Sequence, residues 1–183
     1  KDAVLEAVST PAEPLRSEPC WRDAAPEVLR LLGEGTAASR AYLFETVSAA
    51  DAPMRMSQRF EWVAAGARPE LDNAAFQDFG LVESGLARVE ERLRAHQVFT
   101  TGRGDALPEE LHVLENGEIR SIVVVPVVVD GACWGSIGFD DCVGERAWSQ
   151  AEIDALRAAA GVFAAAIERE RSERTLREHE QKL

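Results

Sequence analysis

The sequence is poor in the residues that mark several classes of function. Among 183 residues there are three histidines, three cysteines (Cys20, Cys133, Cys142) and no Cys-x-x-Cys pair. Structural zinc sites and disulfide frameworks need ligands or thiols at set spacings, so neither is supported. A sparse, odd set of thiols points to a reducing compartment, and a cytoplasmic setting is expected. Positive charge is scarce: 20 Lys and Arg against 32 Asp and Glu leave a net charge of −12. No basic stripe is available to neutralise phosphates or to approach an anionic bilayer, so neither nucleic acid nor a membrane surface is expected as a partner. The longest unbroken apolar run, Ile122 to Val129, contains Pro126 and is far too short to span a bilayer. The opening Lys1-Asp2-Ala3 leads into an amphipathic segment and not into the apolar core of a signal peptide. The chain does not begin with Met and reads as a piece of a longer protein.

What is present centres on residues 120–170. Two apolar runs flank Asp130-Gly131, the dipeptide of a two-residue type I′ hairpin, in which both central residues take positive φ. The first run, Ile122 to Val129, is apolar at every position, as a strand covered on both faces should be. Ser149-Gln-Ala-Glu152 then forms a capping box, and the helix it opens has no internal stop and is expected to reach the end of the chain.

Elsewhere, Lys1 to Ser9 has helical spacing, with Val4, Leu5 and Val8 on one face, and three prolines follow it. Trp21, Ala24, Val28, Leu29 and Leu32 predict a second helix stopped by Gly33 and Gly35. Strands are expected over 39–47 and 54–65. A mostly helical stretch is expected over 76–94, broken near Gly80 and Gly85. A short strand over 96–101 follows, then a helix over 108–115 with its stop at Asn116-Gly117. No repeat or low-complexity segment is present. The division that follows is an N-terminal helix and linker over 1–19, a domain over 20–170, and the start of a connecting helix over 171–183.

Several strings resemble the GAF domain: Ser39-Arg-Ala-Tyr-Leu-Phe-Glu45, Phe60-Glu-Trp62, Gly117-Glu-Ile-Arg-Ser-Ile-Val-Val-Val-Pro-Val127, Trp134-Gly-Ser-Ile-Gly-Phe-Asp-Asp141 and Trp148-Ser-Gln-Ala-Glu-Ile153. The resemblance is to GAF modules of bacterial multi-sensor histidine kinases and cyclic-di-GMP signalling proteins. It implies an α+β, three-layer α/β/α fold with a central antiparallel sheet in the order 2-1-5-4-3. The terminal helices would cover one face and a pocket would lie on the other. The parent protein would be a histidine kinase, or a diguanylate cyclase or phosphodiesterase.

The aromatic residues Trp62, Phe76, Phe79, Phe99 and Trp134 fall near that implied pocket and are its candidate ligand-binding residues; the alternative is that they fill core. His96 and His112 each stand without a second ligand at metal spacing, so no metal is expected and the purified protein should be colourless. The motifs around the bilin-bearing Cys of phytochrome-type GAF domains and in the Cys-rich pocket of free methionine sulfoxide reductases have no counterpart here. Nor does the motif of cyclic-nucleotide phosphodiesterases. Asp140, Asp141 and Glu145 offer hard oxygens that suit a cation, or solvate a strand end. Gly102-Arg-Gly104 offers backbone amides to an anion, or is a plain loop.

With no nucleophile beside a base, the expected function is a non-catalytic sensory or regulatory module. It would bind an unidentified small molecule and relay the state to an output domain in the same chain through the C-terminal helix. A ligand-free GAF relay and dimerisation module is the alternative, ahead of a GAF-fold redox enzyme. Leu176 and Leu183 are one heptad apart, and with Val4, Leu5 and Val8 they predict a homodimer through the terminal helices.

Overall fold

The computed structural model describes residues 14–15 and 20–182; the expected first helix, with Val4, Leu5 and Val8, lies outside the described residues, as does Leu183. Helix α1 (Trp21–Thr36) leads into strands β1 (Arg40–Thr46) and β2 (Arg55–Val63) and a two-residue strand β3 (Phe79–Gly80). Then come α2 (Ala87–Arg94), β4 (Phe99–Gly102), α3 (Pro108–Asn116), β5 (Ser121–Val129), β6 (Ala132–Asp141) and α4 (Gln150–Gln181).

All strand pairs are antiparallel, in the order β3-β2-β1-β6-β5-β4. The sheet thus has six strands where five were expected, because Phe79–Gly80 adds itself at the β2 edge. One face carries α1 and α4, and the core between them and the sheet includes Leu29, Leu32, Leu43, Val125, Phe139 and Phe163. The other face carries α2 and α3, with a smaller cluster built on Tyr42, Met56, Leu81, Leu93 and Phe99. Strand β5 has apolar material on both sides, which its unbroken run of apolar residues requires.

The β5–β6 turn has Asp130 at φ 51° and Gly131 at φ 79°, as a type I′ turn needs. The Ser149 hydroxyl accepts the Glu152 amide at 3.1 Å, and the Glu152 carboxylate accepts the Ser149 amide at 2.8 Å, closing the capping box. The 32-residue α4 is about 48 Å long. Its last buried residue is Ile167, Glu168 to Arg171 still touch Asp130 and Arg22, and residues 172–181 extend about 15 Å past the packed body.

Several element boundaries differ from those expected. α1 runs through Gly33 and Gly35 and ends where Ala37 turns left-handed at φ 55°. The stretch 76–94 is helical over Ala87–Arg94 alone. Its earlier part forms a 3-10 turn (Ala74–Phe76) and β3, because its backbone pairs with β2: Leu81 donates its amide to the Met54 carbonyl at 3.1 Å. The strand after α2 starts at Phe99, since His96, at φ 58°, closes the helix. Its amide donates to Leu93 and that of Gln97 to Arg92, the paired bonds of a Schellman ending.

Candidate functional site

Between the sheet and the α2–α3 layer lies a cavity of about 80 Å³. Its floor comes from one face of β1, β2, β5 and β6, and its roof from Leu86, Val89, Val113 and Leu114. One end is aromatic. Phe44, Phe76 and Phe79 pack in T-shaped pairs, with ring centroids 5.8–6.1 Å apart. Phe99 closes a neighbouring wall.

The other end is polar and tightly bonded. Arg40, 1% exposed, donates to Asp140 Oδ2 at 3.0 Å and to the Gly117 carbonyl at 2.5 Å, with the Glu70 carboxylate 4.0 Å away. Tyr42 donates its hydroxyl to Asp140 Oδ1 at 2.8 Å. Tyr42 faces Gly138 across the β1–β6 pair, and a Cβ there would fall 2.9 Å from the tyrosine ring, so the glycine makes the ring's position possible. Burial pushes the Asp140 carboxyl up to about 6, while the Arg40 charge and the Tyr42 hydrogen bond pull it down. Burial and the Asp140 charge push the Tyr42 hydroxyl well above its ordinary range, so it stays a donor.

Of the five aromatic residues expected at a pocket, Phe76, Phe79 and Phe99 are brought together on its lining, while Trp62 and Trp134 are placed on the opposite face. The physical reason is a β-bulge in each strand. In β2, Phe60 pairs with Leu43 and Gln58 with Phe44, leaving Arg59 as an extra residue. The extra residue reverses the alternation: Met56 and Gln58 face the cavity, whereas Phe60 and Trp62 pack against the helical layer. In β6, Gly135 pairs with Val127 and Cys133 with Val128, so Trp134 itself is the extra residue. Its ring turns to Trp21 of α1, 5.4 Å between centroids. The polar lining of Arg40, Tyr42, Gln58 and Glu61 escaped sequence reasoning, and Asp140 was expected beside a cation or solvent at a strand end, not buried against Arg40 and Tyr42. Strand alternation carried the one usable signal, and the bulges interrupt it.

The remaining candidates are separated. Asp140 is buried with Arg40. Asp141 instead pairs with Arg146 at 3.0 Å and accepts the amides of Val143 and Gly144. Glu145 accepts the Gly104 amide at 2.6 Å, so the Gly102–Gly104 loop already holds an anion from its own chain. His96 and His112 are exposed, His112 against Asn116 at 3.2 Å. Among the described residues, no group of three His, Cys, Asp or Glu side chains is placed to hold a metal ion. The three cysteines are free and half-buried; burial pushes the Cys133 thiol up to about 11, which leaves it a weak nucleophile at neutral pH. No helix among the described residues is long and apolar enough to cross a membrane.

A helix-covered antiparallel sheet with a pocket on its second face is the architecture of a GAF domain. The chain matches the GAF domain family over residues 21–167 and belongs to that family. It is 38% identical over 152 residues to the methanogenesis regulatory histidine kinase FilI of Methanothrix harundinacea (strain 6Ac). That match covers 80% of this chain and 16% of the kinase, so the chain spans about one sixth of the relative's length. Among solved structures it resembles the phycocyanobilin-bound GAF domain of a cyanobacterial phytochrome, with TM-score 0.75, 13% identity and coverage of 93% and 96% of the two chains. It also resembles the chromophore-binding domain of Stigmatella aurantiaca bacteriophytochrome, with TM-score 0.68, 17% identity and coverage of 90% and 59%. At these identities the structural likeness is one of fold.

Proposed function

We propose that this chain is a non-catalytic sensory module of a cytoplasmic signal-transduction protein. It binds a small molecule in the cavity and passes the state to an output domain along α4. The observation that carries the reading is the cavity itself: an aromatic wall and a buried polar end, roofed by the short helices α2 and α3, on the face that α4 leaves free. A ligand there would favour one packing of the roof over another, and β5 and β6, packed on one side against α4, lie between roof and helix. Identity to part of a regulatory histidine kinase supports an output domain of that class.

The ligand is smaller than the bilins of the fold relatives. The cavity of about 80 Å³ is small beside the roughly 300–1,000 Å³ of ordinary ligand pockets, and none of the three cysteines lines it. The same small volume, with the Arg40–Asp140–Tyr42 bonds already made, favours the second reading, a ligand-free relay. In either case residues 172–181 would pair with a second copy, since Leu176 is exposed on a helix that has left its own core.

Native mass spectrometry of the purified chain, together with a thermal-shift screen of small metabolites, tests the reading. A ligand that raises Tm in the parent but not in the cavity-filling Val89→Phe variant, and that changes hydrogen exchange over 168–181, is the expected result. Absence of any ligand-dependent shift, with intact dimerisation through α4, would replace the sensor by the relay.

A further inference from the structure

We propose that the cavity takes a small organic cation, an alkylated ammonium that keeps an N–H. The proposal rests on the sensory reading above and names its ligand class. Its first support is the aromatic end. The planes of Phe44, Phe76 and Phe79 meet at 75°, 77° and 79°, so the three rings are almost mutually perpendicular and form one aromatic cluster at this end. The three centroids lie within 5.8–6.1 Å of one another, so a cation at this end of the cavity would meet more than one ring within about 6 Å, the range at which a ring attracts a cation. All three rings line the cavity and are half-buried, so they are not sealed into the core.

The second support is charge. The charged side chains lining the cavity are Glu61, Glu70, Glu110 and Asp140 against Arg40. Asp140 is paired with Arg40, Glu70 with Arg68 and Glu110 with Arg88. Glu61 is held by neutral donors, the amides of Glu70 and Leu71 and the Gln58 side chain. It leaves the lining one negative charge in excess, which raises the local concentration of cations.

The third support is an orphan acceptor. Gln58 is 3% exposed, and its Oε1 is buried without a hydrogen-bond partner. Its amide cannot simply be turned over, because Nε2 donates to Glu61 Oε2 at 3.2 Å. Gln58 is the direct cross-strand partner of Phe44, so the unpartnered oxygen belongs to the residue beside the aromatic cluster. A buried acceptor calls for a donor. An ammonium N–H supplies it while the alkyl groups meet the rings. The other unpartnered polar atom of the lining, Arg40 Nε, belongs to a residue four positions along β1 from Phe44, about 13 Å between the backbones, whose guanidinium is bonded to Asp140.

The test is calorimetric titration of the chain with trimethylammonium, tetramethylammonium and the neutral isostere tert-butanol at constant ionic strength, with aromatic NMR shifts locating the site. Trimethylammonium should bind at least tenfold more tightly than tert-butanol, and Phe79→Leu should weaken it at least tenfold with the fold intact by circular dichroism. Gln58→Leu should weaken trimethylammonium but leave tetramethylammonium, which has no N–H, unchanged. Equal affinity for trimethylammonium and tert-butanol, or tighter binding of acetate at the same resonances, would overturn the cation class while leaving the cavity as a ligand site. No shift of the Phe44, Phe76 or Phe79 resonances with any probe would overturn the cation proposal and count against the sensory reading as well.

Discussion

Gly33 lies against the indole of Trp62. A Cβ at position 33 would fall 2.2 Å from a ring carbon of that tryptophan, so α1 approaches β2 as closely as it does because residue 33 has no side chain. Alanine is ordinarily better than glycine inside a helix by about 1 kcal/mol. Here the forced displacement of the ring costs more, about 1–3 kcal/mol. Gly33→Ala should therefore lower stability in urea titration, and a gain in stability would show that Trp62 moves aside freely.

The Arg40–Asp140 pair is buried at both ends, so removing one partner strands the other. Asp140→Ala should destabilise the domain by about 3–5 kcal/mol at neutral pH. An NMR titration should place the Asp140 carboxyl near 6, against 3.8 for a free one. Its folded pKa is raised, so the folded state holds the proton more tightly than the unfolded chain does. The contribution of this group to stability therefore falls as pH rises from about 4 to 6. The stability difference between the parent and Asp140→Asn should carry that slope, and a flat difference would contradict it.

Glu110 behaves with the opposite sign. It is buried and bound by Arg88 at 2.6 and 2.7 Å and by the Leu107 amide at 2.9 Å. Burial pushes its carboxyl up, but the Arg88 hydrogen bonds and the Leu107 amide outweigh that and hold it below the ordinary 4.5. Its contribution is complete above that value and is lost as pH falls through the lower folded value. Glu110→Gln should cost about 1–2 kcal/mol at pH 7, with the deficit shrinking below pH ~4 in acid unfolding curves.

Gly131 has open space where a Cβ would be, so a substitution there meets a backbone cost alone. Gly131→Val should lower stability by about 1–2 kcal/mol, the cost of a β-branched residue at φ 79°. Thermal melts that overlay the parent would argue against a type I′ turn in solution.

Leu176, 59% exposed on the projecting part of α4, is the residue to test for assembly. Light scattering over a concentration series should show weak dimerisation of the chain and a clear loss with Leu176→Glu. Monomer at high micromolar concentration for the parent would remove the helical interface.

Much of the fold was legible because the physics is local. The Asp130-Gly131 turn, the Ser149–Glu152 capping box and the apolar run of β5 each place their signal within a few residues, and the strands and helices they imply are present. Helix ends were less legible. α1 passes the glycines Gly33 and Gly35 expected to stop it and ends at left-handed Ala37, closed by Schellman bonds, whereas α3 ends at Asn116, where the Asn116-Gly117 stop was expected. Of the candidate site, Phe76, Phe79 and Phe99 could be picked from composition and the family resemblance, but which face Trp62 and Trp134 take could not. That depended on Arg59 and Trp134 each lacking a partner across the sheet, and register between strands is a property of the assembled sheet. The burial of Arg40, Tyr42 and Asp140 as one bonded group was likewise decided by tertiary structure, because β1 and β6 meet there across 98 to 100 residues of chain.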